Sequence, residues 1–290
     1  MATAAAVGAA AMAESDAIEP TAPAELRLVE APTPASRAAR RAPAAPDEPR
    51  LIVHIEDHAG LREVVQAEVE RCAALRYATF AECGAEVPGL APLLAVNLLA
   101  KDCDPMEAIC DARWGLHEPR AFTYLAAGSR GVIAGLTEFI PHPFSPDDCA
   151  TRLLERPGGT QRLLMVSDKI EVMNEIRAVL NRVKCSTSVA LDGRQAYDLV
   201  SMVKPDAILI DLTLPRAEGI RLVNRLRSDA KTAAIPIIFA LGEALDLARF
   251  RADATRVLAD CRFAPADLSA GLARVLADWQ SDHDALRAAG

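Results

Sequence analysis

The chain has 290 residues, of which 51% are hydrophobic, and a formal net charge of −8 at pH 7. This length is enough for about two domains of ordinary size. The acidic balance and the lack of a basic stripe exclude nucleic-acid binding by the folded part, because phosphate binding requires concentrated Lys and Arg. No apolar stretch is long and continuous enough to span a bilayer, so we expect no membrane insertion.

Residues 1–48 are rich in Ala and Pro and carry no strand or sustained amphipathic pattern. This composition predicts a disordered arm. The opening lacks the positive region and the Leu-rich core of an export signal. The seven cysteines are scattered without a C-x-x-C pair, which indicates reduced thiols in a cytoplasmic protein.

The first half, residues 49–156, begins with an apolar strand that ends in two acids, Glu56 and Asp57. A second apolar run, residues 92–99, contains Asn97, and a third segment follows at Phe139–Asp148. The break between the halves is predicted at Arg156–Thr160, where Pro and two Gly residues interrupt the pattern.

The second half, residues 160–281, alternates between strand and helix patterns at lengths that predict a doubly wound parallel sheet. The predicted strands are Arg162–Asp168, Ser188–Leu191, Ala207–Ile210 ending in Asp211, Ile235–Leu241 and a weaker fifth strand, Arg256–Ala259. The predicted helices are Ile170–Lys184, Arg194–Val203, Gly219–Arg227 and Pro265–Trp279.

The two halves have corresponding features at a nearly constant offset. Glu56 and Ser167, which open the two polar pairs, are 111 positions apart, and Asn97 and Asp211 are 114 apart. A constant offset of this size is what a tandem duplication produces.

The segment Lys204–Pro215, followed by Gly219, resembles the phospho-acceptor strand of bacterial two-component response-regulator receiver domains. The resemblance covers about residues 50–280. It implies an α/β protein with two flavodoxin-like, five-stranded parallel sheets in tandem, both degenerate, and no output domain. The expected domains are 49–156, a degenerate pseudo-receiver, and 160–281, which retains the acceptor Asp.

In the second half, the resemblance implies that Asp211 is the phospho-acceptor. It also implies a Mg²⁺ site made by Asp168, Asp211 and the backbone carbonyl of Thr213. The degenerate positions of this pocket are Ser167 in place of the first acid, Leu241 in place of a hydroxyl residue, and Cys261 in place of a Lys. The open alternative is that Asp211 is an inherited, unreactive acid and that Asp168 caps a helix.

In the first half, the resemblance places Glu56, Asp57, Asn97 and His142 in the corresponding degenerate pocket, with His142 at the Lys position. Asn97 is neutral and a poor nucleophile, so we expect no phosphorylation there. We expect Asn97 to accept hydrogen bonds and to hold one conformation. A metal site of His58, Glu56 and Asp57 is an alternative.

The leading functional hypothesis is a receiver-only, non-enzymatic adaptor in a two-component system that acts through protein–protein contacts, with phosphorylation at Asp211 as an option. Its expected partners are a histidine kinase or phosphotransfer protein, other signalling proteins, or a second copy bound through Ala244–Arg251 and Leu268–Leu276. One alternative is a phosphorelay intermediate. Another is a small-molecule-binding or enzymatic flavodoxin-like protein, although no Gly-rich phosphate loop follows either first strand.

Overall fold

The computed structural model describes residues 49–72, 75–83, 92–114, 120–127, 130–140, 144–154, 156, 159–240, 244–259, 268–273 and 275–277. All of these residues belong to one compact unit. The predicted arm lies outside the described residues, as do His142, Leu241 and Cys261.

Nine strands within the described residues form one continuous sheet in the order β2-β1-β3-β4-β5-β9-β8-β6-β7. The expectation of two separate five-stranded sheets is therefore wrong, although parallel α/β architecture is confirmed for β1–β4 and for β6–β9. The strands are β1 (Arg50–Ile55), β2 (Leu75–Thr79), β3 (Leu93–Asn97), β4 (Arg120–Ala127), β5 (Arg130–Ile140), β6 (Arg162–Val166), β7 (Ser186–Ala190), β8 (Ala207–Asp211) and β9 (Ile237–Ala240).

Some of the described helices begin at an Asp that caps the first turn. Asp192 and Asp246 each accept a backbone N–H bond at the start of a helix. The helices are α1 (Ala59–Glu70), α2 (Pro105–Ile109), α3 (Pro146–Leu154), α4 (Ile170–Arg182), α5 (Gly193–Val203), α6 (Glu218–Ser228), α7 (Leu247–Leu258) and α8, the helical residues 268–273 and 275–277. None of them combines the length and apolarity needed to cross a membrane.

The predicted fifth strand of the second half, Arg256–Ala259, is wrong. Residues 256–258 are the last turn of α7, and Ala259 is its C-cap. Phe250, Ala254, Val257 and Leu258 are buried at helical spacing, so the apolar face of α7 continues through the segment that resembled a strand.

The strand position beside β9 is filled by β5, which comes from the first half. β5 pairs in parallel with β9 through Glu138–Ile140 and antiparallel with β4. The fifth strand expected for the first half would run parallel to β4, so that part of the prediction is also wrong. The second half completes its set of five parallel strands with a strand that precedes it in the chain.

The closing helices are exchanged between the halves in the same way. Leu268, Leu272 and Leu276 of α8 are buried in a cluster with Leu61 and Val65 of α1, in the first half. In the second half, α3 packs against α4 through a different cluster. The apolar face of α8 is thus covered within the chain, so these three leucines are not available for the predicted contact face. A homodimer through Ala244–Arg251 and Leu268–Leu276 stays a prediction.

The third cluster lies on the opposite face of the sheet and extends across both halves, under α5, α6 and α7. Val53, Val96, Val166, Ile210 and Phe239 belong to it. β4 and β5 are antiparallel, so the parallel strands on either side of them run in opposite directions. The carboxyl ends of β1 and β3 therefore lie at one edge of the sheet, and those of β6 and β8 lie at the other.

Candidate functional site

Asp211 is the last residue of β8, between β6 and β9. Ala207–Ile210 are buried on both faces of the sheet, as expected for an inner parallel strand. Only 2% of Asp211 is exposed, and Ser167, directly after β6, is fully buried. The structure therefore places both predicted residues together at the carboxyl edge of the second half.

The carboxylate of Asp211 accepts hydrogen bonds on both oxygens. The Ser167 hydroxyl donates to Oδ2 at 2.7 Å. The backbone N–H of Thr213 and its hydroxyl donate to Oδ1 at 2.8 Å and 2.6 Å. Ser167 Oγ also accepts from the Lys169 backbone N–H at 3.0 Å. Neutral donors thus compensate the cost of holding this carboxylate out of water.

Asp168 lies at the end of the neighbouring strand and is more accessible, with 42% of its side chain exposed. Its Oδ1 lies 3.7 Å from the ammonium of Lys169. Lys169, rather than Asp168, is the N-cap residue of α4, so the alternative role of Asp168 as a helix cap is wrong. Asp168, Asp211 and the Thr213 carbonyl provide the oxygen donors that Mg²⁺ prefers, so the residues present fit this ion chemically.

The loop after Asp211 approaches the strand closely. Arg216 and Ala217 have left-handed backbone angles, with φ of 57° and 53°. A Cβ atom at Gly219 would lie 3.1 Å from both the Asp211 carbonyl oxygen and Ile210 Cγ2. Glycine therefore fits without crowding where α6 begins against the end of β8, and a larger residue would require Asp211 or Ile210 to shift by a few tenths of an ångström.

The remaining predicted residues of the pockets, Leu241, Cys261 and His142, lie outside the described residues. Their assignments as replacements for a hydroxyl residue and for Lys stay predictions.

Asn97, at the end of β3, is fully hydrogen-bonded. Its Oδ1 accepts from the backbone N–H groups of Leu99 and Ala126, both at 3.0 Å. Its Nδ2 donates to Glu56 Oε2 and to the Ala126 carbonyl, both at 2.9 Å. The prediction that Asn97 accepts hydrogen bonds in this pocket is confirmed, and its donated bond to a carboxylate requires the neutral amide.

Glu56 is joined to a buried chain of side chains that the sequence motifs do not reveal. The Tyr124 hydroxyl lies 2.6 Å from Glu56 Oε2 and 2.7 Å from His54 Nε2. The Tyr77 hydroxyl lies 3.0 Å from His54 Nδ1. The available signal was the period of a strand, which puts His54 and Glu56 on the same face of β1.

Burial is the largest influence on the pKa values of Glu56 and His54. It raises the pKa of Glu56, an effect opposed by the hydrogen bonds from Tyr124, His58 and Asn97. Burial also lowers the pKa of His54 to about 3, so its imidazole is neutral near pH 7.

Asp57 and His58 do not form a metal site with Glu56. The Asp57 carboxylate accepts from the backbone N–H groups of Lys101 and Asp102, and the His58 N–H donates to Glu56 Oε1. In the part of the chain that the structure describes, no group of three or more His, Cys, Asp or Glu residues could hold a metal ion. The alternative of a metal centre here is wrong.

The family model that matches this chain lies in its second half. Residues 163–258 match the response regulator receiver domain family. This segment is a response regulator receiver domain. It contains Asp168, Asp211 and Thr213, and runs from β6 to the end of α7.

Similar proteins align with the chain over part of its length. The response regulator MprA of Mycolicibacterium vanbaalenii is 34% identical over 79 residues, which are 27% of this chain and 34% of MprA. Sporulation initiation phosphotransferase F of Bacillus subtilis is 29% identical over 83 residues, covering 29% of this chain and 67% of that protein. A solved structure, chemotaxis response regulator CheY4 of Vibrio cholerae, has 24% identity and a TM-score of 0.28, covering 39% of this chain and 97% of that one.

Proposed function

We propose that this chain is a non-enzymatic signalling adaptor of a two-component system. Its receiver domain accepts a phosphoryl group at Asp211, slowly, and its first half accepts none. The signal leaves the protein through contacts with other proteins, and a histidine kinase or a phosphotransfer protein supplies the phosphoryl group.

The observation that carries this proposal is the state of the Asp211 carboxylate. Asp211 lies within the matched segment, at the position where the resemblance expects the acceptor, and Asp168 follows the neighbouring strand β6. Both oxygens of the Asp211 carboxylate are held by hydroxyl or backbone donors from Ser167 and Thr213. Attack on a phosphoryl donor requires a carboxylate oxygen to exchange these bonds, which supports slow phosphorylation.

Mg²⁺ is the cofactor we propose for this step. Asp168, Asp211 and the Thr213 carbonyl would hold it, and when bound it would neutralise charge on the phosphoryl oxygens. Ser167 brings a hydroxyl rather than a second negative charge to this pocket, and the Lys169 ammonium lies beside Asp168. Both features support a weak affinity for Mg²⁺.

The first half supports the adaptor function because its pocket is closed to the same chemistry. Asn97 is 2% exposed, and all four of its hydrogen bonds are made within the protein. A neutral, saturated amide cannot form an acyl phosphate. We propose that this half serves as a fixed structural partner of the receiver domain, with which it shares one sheet.

A phosphorelay intermediate is the second candidate, and the similarity to a sporulation initiation phosphotransferase favours it. The two functions differ in the fate of the phosphoryl group. An intermediate passes this group to a histidine-containing phosphotransfer protein within the lifetime of the acyl phosphate. An adaptor retains the group until hydrolysis.

The test is intact-mass spectrometry after incubation with acetyl phosphate, with and without Mg²⁺. The wild-type protein should gain one phosphoryl group slowly and only with Mg²⁺, and Asp211→Asn should gain none. Asp198→Asn is the matched control, since it makes the same change on the exposed face of α5. Unchanged labelling of Asp211→Asn would overturn the assignment.

A further inference from the structure

The buried series of side chains Tyr77–His54–Tyr124–Glu56 joins strands β2, β1 and β4 of the first half across β3, whose last residue, Asn97, lies at its inner end. Its inner members are nearly inaccessible: His54 and Tyr124 are each 1% exposed, and Glu56 is 8% exposed. Tyr77 lies on the edge strand β2 and is only half-buried. The chain therefore connects an internal carboxylate with the surface, and it has no part in the function proposed above.

The hydrogen bonds permit only one arrangement of protons when Glu56 is ionised. Its carboxylate must accept, so Tyr124 donates to Oε2, and the 2.6 Å separation is typical of a charge-assisted O–H···O⁻ bond. Tyr124 then accepts from His54 Nε2–H. A neutral imidazole carries one proton, so His54 Nδ1 accepts from the Tyr77 hydroxyl.

Addition of one proton to Glu56 reverses every bond in the chain. The protonated carboxyl donates to the Tyr124 oxygen, and Tyr124 donates to His54 Nε2. His54 now carries its proton on Nδ1 and donates to the Tyr77 oxygen. The hydrogens balance when each moves one step inward: from Tyr124 to Glu56, from His54 Nε2 to Tyr124, from Tyr77 to His54 Nδ1, and from solvent to the Tyr77 oxygen. The new Tyr77 hydroxyl hydrogen points outward, so the proton that neutralises Glu56 also produces one new donor at the surface.

We infer that Glu56 is a proton-binding site, and that proton binding switches His54 from its Nε2–H to its Nδ1–H tautomer and turns the Tyr77 hydroxyl outward at β2. The imidazole stays neutral in both states, because its burial opposes the imidazolium form. The device thus transmits a protonation event from the pocket of the first half to the sheet edge, by rearrangement of hydrogens alone.

The charged and titratable groups around Glu56 favour uptake of a proton by the carboxyl rather than by the imidazole. The carboxylate of Asp57, which follows Glu56 in the sequence, raises the pKa of Glu56 in addition to the larger effect of burial. Arg62 of α1 donates to the Glu56 backbone carbonyl at 3.2 Å, and its positive charge opposes protonation of His54. Glu82, after β2, acts on the outer member, Tyr77.

Among the described residues, the side chains and backbone groups that donate hydrogen bonds to the Glu56 carboxylate are uncharged. Asn97 and the His58 backbone N–H donate to Glu56, and α8 contributes Leu268, Leu272 and Leu276 to the same side of the sheet. Within the described residues, Glu56 is therefore the member of the chain poised to take up a proton.

The experiment is nitrogen NMR of the full-length protein labelled with ¹⁵N-histidine, recorded from pH 8 downwards while the protein stays folded. The two His54 ring nitrogens should exchange their protonated and unprotonated signals, without an imidazolium intermediate. The ¹³C carboxyl signal of Glu56 should titrate with the same midpoint. The His54 signals are assigned from their loss in His54→Asn.

Tyr124→Phe removes the link between Glu56 and His54, so the tautomer of His54 should become independent of pH in that variant. Tyr197→Phe is the matched control. The Tyr197 hydroxyl also donates a hydrogen bond to a carboxylate, that of Asp229, but neither residue belongs to the series from Tyr77 to Glu56. Tyr197→Phe should leave the tautomer switch intact.

Three results would overturn the inference. The first is a single His54 tautomer over the whole pH range in which the wild type is folded. The second is conversion of His54 to imidazolium, and the third is a tautomer switch that persists unchanged in Tyr124→Phe. The wild-type titration decides the matter even where Tyr124→Phe does not fold.

Discussion

Ser167 donates its hydroxyl hydrogen to Asp211 Oδ2 across 2.7 Å and thereby links the ends of β6 and β8. The receiver domain thus has a neutral donor where the resemblance expects an acid. The bond stabilises the carboxylate without a metal ion, and the neutral hydroxyl leaves the pocket with one negative charge fewer than an acid at position 167 would give.

Restoring the acid should strengthen the Mg²⁺ site. We expect Ser167→Asp to bind Mg²⁺ roughly tenfold more tightly than the wild type, because a second carboxylate adds Coulomb attraction at short range. Without metal, the variant should have a lower Tm, since two carboxylates then face each other. Calorimetric Mg²⁺ titration and thermal unfolding measure both effects. Ser201→Asp, on the exposed face of α5, is the control, and an equal Mg²⁺ response in both variants would contradict this account.

Asn97→Asp should destabilise the first half in a pH-dependent manner. The new carboxylate would replace an amide that donates to Glu56 at 2.9 Å, and an unpaired buried charge of this kind costs about 3–5 kcal/mol. The folded-state pKa of Glu56 is already raised, and a second carboxylate raises it further.

The sign of the pH dependence follows from this direction. The folded state binds the Glu56 proton more readily than the unfolded state, so stability falls as pH rises through the window above its ordinary pKa. Urea unfolding of Asn97→Asp should therefore show a large loss at pH 7 that shrinks as the solution is acidified. Asn174→Asp, on the exposed side of α4, should show no such loss. A loss that does not change with pH would count against the proximity of these two groups.

Gly219→Ala should lower the stability of the receiver domain by about 1–3 kcal/mol, because the new Cβ crowds both the Asp211 carbonyl oxygen and the Ile210 side chain, which would have to shift. The two contacts it would make are 3.1 Å long. Gly60→Ala is the comparison, since its Cβ would meet only the His58 ring at 3.3 Å. Chemical denaturation of both variants checks this, and equal stability of the two proteins would contradict the close approach of α6 to β8.

Leu272→Ala tests whether α8, from the second half of the sequence, packs on the first half. Removing a buried leucine typically costs about 2–5 kcal/mol, and the packing partners of Leu272 lie in the first half. Hydrogen exchange should therefore speed up in α1 before it does so in α4. Met202→Ala, at a position that is 77% exposed, should change neither helix. Faster exchange confined to α4 would mean that α8 packs on the receiver domain instead.

The sequence predicts the individual strands and helices of this fold better than it predicts which of them pair with each other. Strand β8 and helix α5 follow from an apolar run and from an Asp-Gly start, which are local signals. The pairing of β5 is set by long-range contacts, and nothing in Phe139–Ile140 indicates that this strand runs antiparallel to β4 and parallel to β9. The sequence did contain a signal against the mistaken strand Arg256–Ala259. The helical spacing of Phe250 and Ala254 continues into this segment, which indicates a helix.

The residues of the candidate site also fall into two groups, those that a local sequence pattern identifies and those that only strand pairing brings to the site. Asp211, Ser167 and Asn97 were identified because each follows an apolar run, and such positions meet at the carboxyl ends of parallel strands. Tyr77 and Tyr124 were missed, because each lies within a strand that carries no motif. Only the pairing of β2, β1, β3 and β4 brings their hydroxyls to His54 and Glu56.

The most direct test of the central claim is chemical mapping of the phosphorylated residue. After treatment with acetyl phosphate and Mg²⁺, borohydride reduces an acyl phosphate to an alcohol, which marks the acceptor Asp as homoserine in peptide mass spectra. We predict homoserine at position 211 and at no other position of the chain. Homoserine elsewhere, or none after prolonged incubation of folded protein with Mg²⁺, would contradict the assignment of Asp211 as the acceptor.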